Sequence, residues 1–174
     1  KKSFITKENI NSLLKESGFK DVGLLHIDMD GVDYWIWETI DCSELNPSIV
    51  ILEYNSVLGS ERAITVPYQD DFNRTKAHYS NLYWGASLKA LVNLSKKKGY
   101  KFIGCNSAGN NAYFVKKEIA VFKELTVEEG FVESKYRESR NKNGELSYLR
   151  GSERIEVIRG MLVFNVESGV TEVI

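Results

Sequence analysis

Three aspartates, Asp28, Asp30 and Asp33, stand close together in LLHIDMDGVDYWIWETI at 24–40, between an apolar run and an aromatic segment. Carboxylates at that spacing have four uses. They can hold a hard cation such as Mg²⁺, which takes one or two carboxylates plus water and substrate oxygens. They can act as general base or nucleophile, with an acidity tuned by the apolar strand end. They can contact amino or hydroxyl groups of a cofactor. They can also simply cap the following helix, because Asp is favoured near a helix N-terminus. For Asp33, directly before YWIWE, capping and chemistry stand level; for Asp28, at the end of the apolar run, chemistry is favoured.

Other residues compete for the same roles. DMDGV resembles the first motif of the haloacid dehalogenase phosphatases, in which the first Asp is the phosphoryl nucleophile beside Mg²⁺. That family needs a later strand ending in Ser or Thr, a Lys and a further acidic pair. Here the next apolar run ends in Glu53-Tyr54-Asn55, and the one after Gly99 ends in Asn106-Ser107. An EF-hand is excluded, since the glycine comes too early and no glutamate closes the loop at Cys42. No G-x-S-x-G, Walker lysine motif or H-E-x-x-H is present. His26, inside the apolar run, reads as a core imidazole; His78 is the better catalytic histidine of the two, although a solvated loop histidine is the favoured reading for it. SAGNN at 107–111 enters a strand rather than a helix, so it reads as a turn, not a phosphate cradle. Arg137 and Arg140 read as solvated, with an anionic substrate as their functional alternative.

The bulk properties narrow the partners. The chain has 174 residues, 43% hydrophobic and 27% charged, which is ordinary globular composition. Lys plus Arg number 23 against 24 Asp plus Glu, a net charge of -1. Without a basic excess, nucleic acid is not an expected partner. No apolar run reaches the ~20 residues that span a bilayer, so no membrane is expected. Cys42 and Cys105 lack metal-ligand spacing and read as reduced thiols of a cytoplasmic protein. The chain begins Lys-Lys-Ser, which reads as a processed or excerpted piece.

Residues 6–17 carry a helical stripe (Ile10, Leu13, Leu14), with Thr6 as expected N-cap and Gly18 as stop. Residues 22–28 and 48–54 read as strands, so continuously apolar that burial on both faces is expected. A short helix is expected over 33–40, and 86–98 is the clearest helix. Between them, 55–85 is long and irregular, and loops of that length are often functional. Residues 101–106 and 112–116 read as antiparallel neighbours because their connection is short. The segment 132–151 reads as an exposed tail or excursion, and 153–164 as one more helix or strand. Alternating helices and strands imply a layered α/β sheet, with the ligand crevice beyond the carboxyl ends of the strands. Asp28 and Asp30 end one such strand; Glu53, Tyr54 and Asn55 end another.

Taken in order, LLHIDMDGVDYWIWE, VILEYN, TVPY, YWGASLKAL, KKGYKFIGCNSAGNNAYFV and VESKYRESR resemble the FkbM-type S-adenosylmethionine-dependent methyltransferases, over almost the whole chain. The resemblance implies the class I methyltransferase fold, a Rossmann-like, mostly parallel sheet with a C-terminal antiparallel hairpin, flanked by helices. On it, 22–28 and 48–54 look like the fourth and fifth of seven strands, and 101–106 and 112–116 like the last two. The family's first strand, glycine-rich turn and the acid after its second strand have no counterpart here. The chain then resembles the C-terminal half of the domain (1–119) with a polar extension (120–174) packed on or near it.

The function implied is methyl transfer to an oxygen of a sugar or similar small hydroxylated substrate. Asp28, Asp30 and His78 would be catalytic. Asp28, Met29 and Asp30 would contact S-adenosylmethionine, and Asp28, Asp30 and Glu53 could hold Mg²⁺. Glu53, Asn55, Tyr68, Tyr83 and Trp84 would meet the substrate. A second copy, or the missing N-terminal half, would cover the incomplete sheet, since an open strand edge invites pairing. A non-catalytic fragment that binds a ligand or partner is the alternative, and a Mg²⁺-dependent phosphatase the third.

Overall fold

The computed structural model describes residues 2–135 and 138–174. Helix α1 covers Ile10–Ser17 and ends where Gly18 takes a left-handed φ of 73°. It begins later than its apolar stripe suggests. Asn9 stands at the cap, and its side chain accepts from the Thr6 amide, so Thr6 lies in a preceding turn. Strand β1 (Leu24–Ile27) and helix α2 (Asp33–Thr39) follow, then a short helix α3 (Cys42–Leu45) capped by Asp41. Asn46 turns the chain through a left-handed conformation into strand β2 (Ile49–Glu53). The irregular stretch after it holds a 3₁₀ turn at Ser56–Leu58, the two-residue strand β3 (Ile64–Thr65) and the short helix α4 (Arg74–Ala77). Helix α5 (Leu88–Lys97) starts at Ser87, whose hydroxyl accepts from the Ala90 amide. Strands β4 (Tyr100–Cys105) and β5 (Asn111–Lys116) form the expected hairpin. Helices α6 (Val127–Gly130) and α7 (Glu153–Val157) and strands β6 (Leu162–Asn165) and β7 (Val170–Val173) complete the chain, so 153–164 supplies both a helix and most of a strand.

The architecture is α/β, with two sheets. In the first the order is β1-β2-β5-β4. Only the β1–β2 ladder is parallel; β2–β5 and β5–β4 are antiparallel, so the sheet is mixed rather than mostly parallel. The cause is the hairpin. Its return strand, β5, inserts between β2 and β4 and makes both of its ladders antiparallel, while β1, β2 and β4 keep a common direction. The second sheet, β3-β6-β7, is antiparallel and joins the excursion after β2 to the end of the chain. Residues beyond 119 therefore pack on those before it.

One face of the first sheet makes the main core. Ile27, Val50, Leu52, Ala112, Phe114 and Phe102 meet Ile36 and Trp37 of α2 and Leu88, Leu91 and Leu94 of α5. Trp37 is fully buried, donates its ring N–H to Ser95 and meets Tyr100 edge-on at 5.6 Å. The opposite face of β1 and β2 is not covered. Leu24 is 53% exposed and Ile49 37%, in direct register, with His26 and Ile51 beside them. Burial on both faces, expected from the apolar runs, is thus not found: period-two alternation puts Leu25, Ile27, Val50 and Leu52 inward and the other residues on an open side.

Phe114 is fully buried, with its ring 5.6 Å from that of Phe102. Phe114→Ala is expected to cost about 3–5 kcal/mol by cavity creation, read as a lower urea midpoint with an unchanged slope.

Candidate functional site

Register decides what meets at the carboxyl end of the sheet. Ile27 pairs with Leu52 and Glu53 with Asn111, so Asp28, Glu53 and Asn111 come to the same rim from three neighbouring strands. Cys105 ends β4 on this rim as well. The turn linking β4 to β5 is built by Asn106, whose side-chain oxygen accepts from the amides of Gly109, Asn110 and Asn111.

On the open face next to this rim, His26 Nε2 lies 3.9 Å from Asp28 Oδ2 and 3.4 Å from Asn111 Oδ1. The side chains of His26 and Asp28 are 41% and 45% exposed. His26 is therefore not a core imidazole; it sits on the outer face of an edge strand. A solvent-reachable carboxylate, imidazole and amide at one strand end can bind hydroxyl groups and take up a proton.

The five-residue turn between β1 and α2 is organised by Asp33. Its carboxylate is fully buried and accepts from the amides of Met29 (2.9 Å) and Gly31 (3.1 Å). Burial is the largest influence on its acidity and pushes its pKa up to about 6, against the lowering by these amides. Met29, whose amide Asp33 holds, is part-buried against the core. Asp30 adopts a left-handed φ of 53° and turns to Arg74, at 2.8 Å. Arg74 also donates to the Asn81 carbonyl and lies 5.3 Å over the Trp84 ring. Gly31 is pressed against Phe72, and its carbonyl accepts from the Gly85 amide. The excursion 59–87 is thus bolted to the aspartate turn.

The expected substrate residues belong largely to this bolting. Asn55 is fully buried; its amide donates to the Leu82 and Trp84 carbonyls, and its oxygen accepts from Val57. Tyr83 donates to the Leu162 carbonyl and Trp84 is fully buried, so both ring systems serve packing. Tyr68 accepts from the Lys7 amide, donates to Glu8, and lies under the Lys7 ammonium, which fastens the N-terminal segment. Glu53 is 3% exposed. His78 bonds Ser80 through Nδ1, stacks on Tyr79, and has its pKa lowered by burial; these contacts stay within its own loop. Arg140 is paired with Glu138, and Arg137 lies outside the described residues.

A metal site does not assemble. Among the described residues no three His, Cys, Asp or Glu side chains converge, and Asp30 is turned towards Arg74 rather than towards Asp28 and Glu53. No described helix is long and apolar enough to cross a membrane. The contributions of Asn111, Asn106 and Arg74 were not singled out in the sequence; only the tendency of Asn to turn chains hinted at Asn106. No family model matches the chain, and no curated protein or solved structure matches it.

Two consequences can be measured. The folded state binds the Asp33 proton more tightly than the unfolded chain, so this group's stabilisation is greatest at low pH and falls as pH rises from about 4 to about 6. Asp33→Asn is expected to remove that slope from urea-unfolding midpoints measured across the window. At Gly31 a Cβ would stand 2.3 Å from the Phe72 ring. Gly31→Ala is expected to cost about 1–3 kcal/mol by overpacking, and Phe72→Ala in the same chain should recover part of it, read as coupling in a double-mutant cycle.

Proposed function

We propose that this chain is the C-terminal part of an FkbM-type methyltransferase domain that methylates an oxygen of a sugar or similar small hydroxylated substrate. The strand arrangement carries the reading. A parallel pair is followed by an antiparallel hairpin, the order that the resemblance implies for the fourth, fifth and last two strands, and acids lie at the carboxyl ends of the parallel pair. S-adenosylmethionine, when bound, supplies a sulfonium methyl group open to attack by oxygen. Asp28, exposed on the rim, accepts the proton of the attacking hydroxyl, with His26 and Asn111 holding the substrate's neighbouring hydroxyls. The residues present fit one side of that group only, because no glycine-rich turn precedes β1 in this sequence. The open edge of β1 is where a second copy or an N-terminal half would pair and supply the rest. No step here is assigned to Mg²⁺, because among the described residues Asp28, Asp30 and Glu53 do not form a joint ligand set.

A second reading, a non-catalytic piece that binds a ligand or partner, is favoured by the same open edge and by the uncovered Leu24, His26, Ile49 and Ile51 face.

Isothermal titration with S-adenosylmethionine and S-adenosylhomocysteine, with and without Mg²⁺, separates the two readings. Methyl transfer predicts saturable binding at about micromolar to sub-millimolar concentration, independent of Mg²⁺ and weakened by Asp28→Asn. Absence of binding at millimolar ligand would leave the second reading.

A further inference from the structure

Away from the aspartate rim, the segment 132–135 crosses the hairpin turn and meets α7. Contact is close enough to require glycine at Gly109: a Cβ there would lie 2.5 Å from the Ser134 amide nitrogen and 2.7 Å from the Val132 carbonyl oxygen, and φ is 73°. Ser134 is buried and shares a 2.7 Å hydrogen bond with Ser56, just after β2. Arg154 of α7, 2% exposed, donates through Nη1 to the carbonyl and hydroxyl of Ser134 and through Nη2 to Glu133 at 2.5 Å. A buried guanidinium is costly to desolvate, and here five donors meet too few acceptors: Arg154 Nε is buried without one.

Arg154 forms one wall of a cavity of about 270 Å³, with Glu133, Ser134, Lys135, Arg150 and Gly151 as the others. Lys135 and Arg150 also line a neighbouring cavity of about 450 Å³, whose walls include Arg140, Leu146, Tyr148 and Leu149. The two spaces therefore share a cationic partition. Their carboxylates are already engaged, Glu133 by Arg154 and Glu138 by Arg140. Glu153 caps the Arg150 amide. The Lys135 ammonium and the Arg150 guanidinium form no ion pair within 4 Å among the described residues, so two like charges face one cavity beside a third, buried cation. An oxyanion ligand offsets that repulsion, and arginine matches phosphate oxygens in a bidentate fork.

We propose that this pair of cavities binds a phosphate monoester of a small hydroxylated molecule. The phosphoryl group sits in the smaller, cationic cavity between Lys135, Arg150 and Arg154. The remainder lies in the larger one against Tyr148, Leu146 and Leu149, where an aromatic and aliphatic wall suits the face of a sugar ring. This site is separate from the Asp28 rim and holds whether or not the chain transfers methyl groups.

The test is titration of the chain, at low ionic strength and without methyl donor, with glucose 1-phosphate, inorganic phosphate and glucose, followed by calorimetry and ³¹P line broadening. Saturable binding is expected for the sugar phosphate, weaker binding for phosphate and none for glucose. Lys135→Gln combined with Arg150→Gln, both at exposed positions, is expected to weaken the sugar phosphate about ten-fold or more, with the thermal midpoint little changed. A control pair with the same charge loss, Lys15→Gln with Lys20→Gln, should leave binding near its original strength. Equal weakening by both pairs, or no saturable binding of either phosphate, would overturn the proposal; binding of phosphate alone would overturn its sugar part.

Discussion

The buried carboxylate of Asp33 is the constraint from which the rest of the rim follows. Its two oxygens gather the Met29 and Gly31 amides and turn the chain from β1 into α2 over five residues. Without that turn Asp30 would not reach Arg74, Gly31 would not seat Phe72, and the Gly31 carbonyl would not receive the Gly85 amide. A hydrogen bond to a charged acceptor contributes about 1.5–3 kcal/mol, whereas desolvating the charge opposes it. The raised pKa of Asp33 records that opposition. Of the three aspartates, one builds the turn, one ties down the long excursion, and Asp28 stays half-exposed at the strand end beside His26.

The sheet divides the molecule into a covered and an open side. Toward the helices, Trp37, Phe102, Phe114 and Tyr54 are buried and their polar atoms are matched; the Tyr54 hydroxyl donates to the Val132 carbonyl. Toward the other side, β1 presents an unladdered edge and apolar side chains. Edge strands in natural proteins are commonly blunted by charge or covered. Lys and Pro are absent from β1, whose residues are Leu24, Leu25, His26 and Ile27. The same openness exposes His26 and Asp28, so the uncovered face of β1 also gives the candidate site its access.

The C-terminal third is tied in by backbone and by charge. β6 pairs with β3, and the Tyr83 hydroxyl bonds the Leu162 carbonyl, so the excursion after β2 and the chain end support each other. Arg154 and Ser134 carry this tie to Ser56 beside the rim. A polar segment is thereby held against the hairpin turn by buried hydrogen bonds rather than by apolar area.

Local elements are legible in the residues alone: the α2 and α5 helices, the β4–β5 hairpin, the stop at Gly18, and the position of Asp28 at a strand end. Each follows from short-range physics, side-chain period, capping and glycine conformation, which act over a few residues. Strand order, and with it the mixed rather than mostly parallel sheet, was decided only by the tertiary structure, because β5 inserts between two strands far apart in sequence. The same is true of side-chain assignment. Asn55, Tyr68, Tyr83 and Trp84 look like binding residues in a long polar loop, but partners at 82–84, in the N-terminal segment, at Leu162 and at Arg74 turn them to packing. His26 moved the other way, from an expected core residue to the open face, since an apolar run does not state which of its two faces will find a cover.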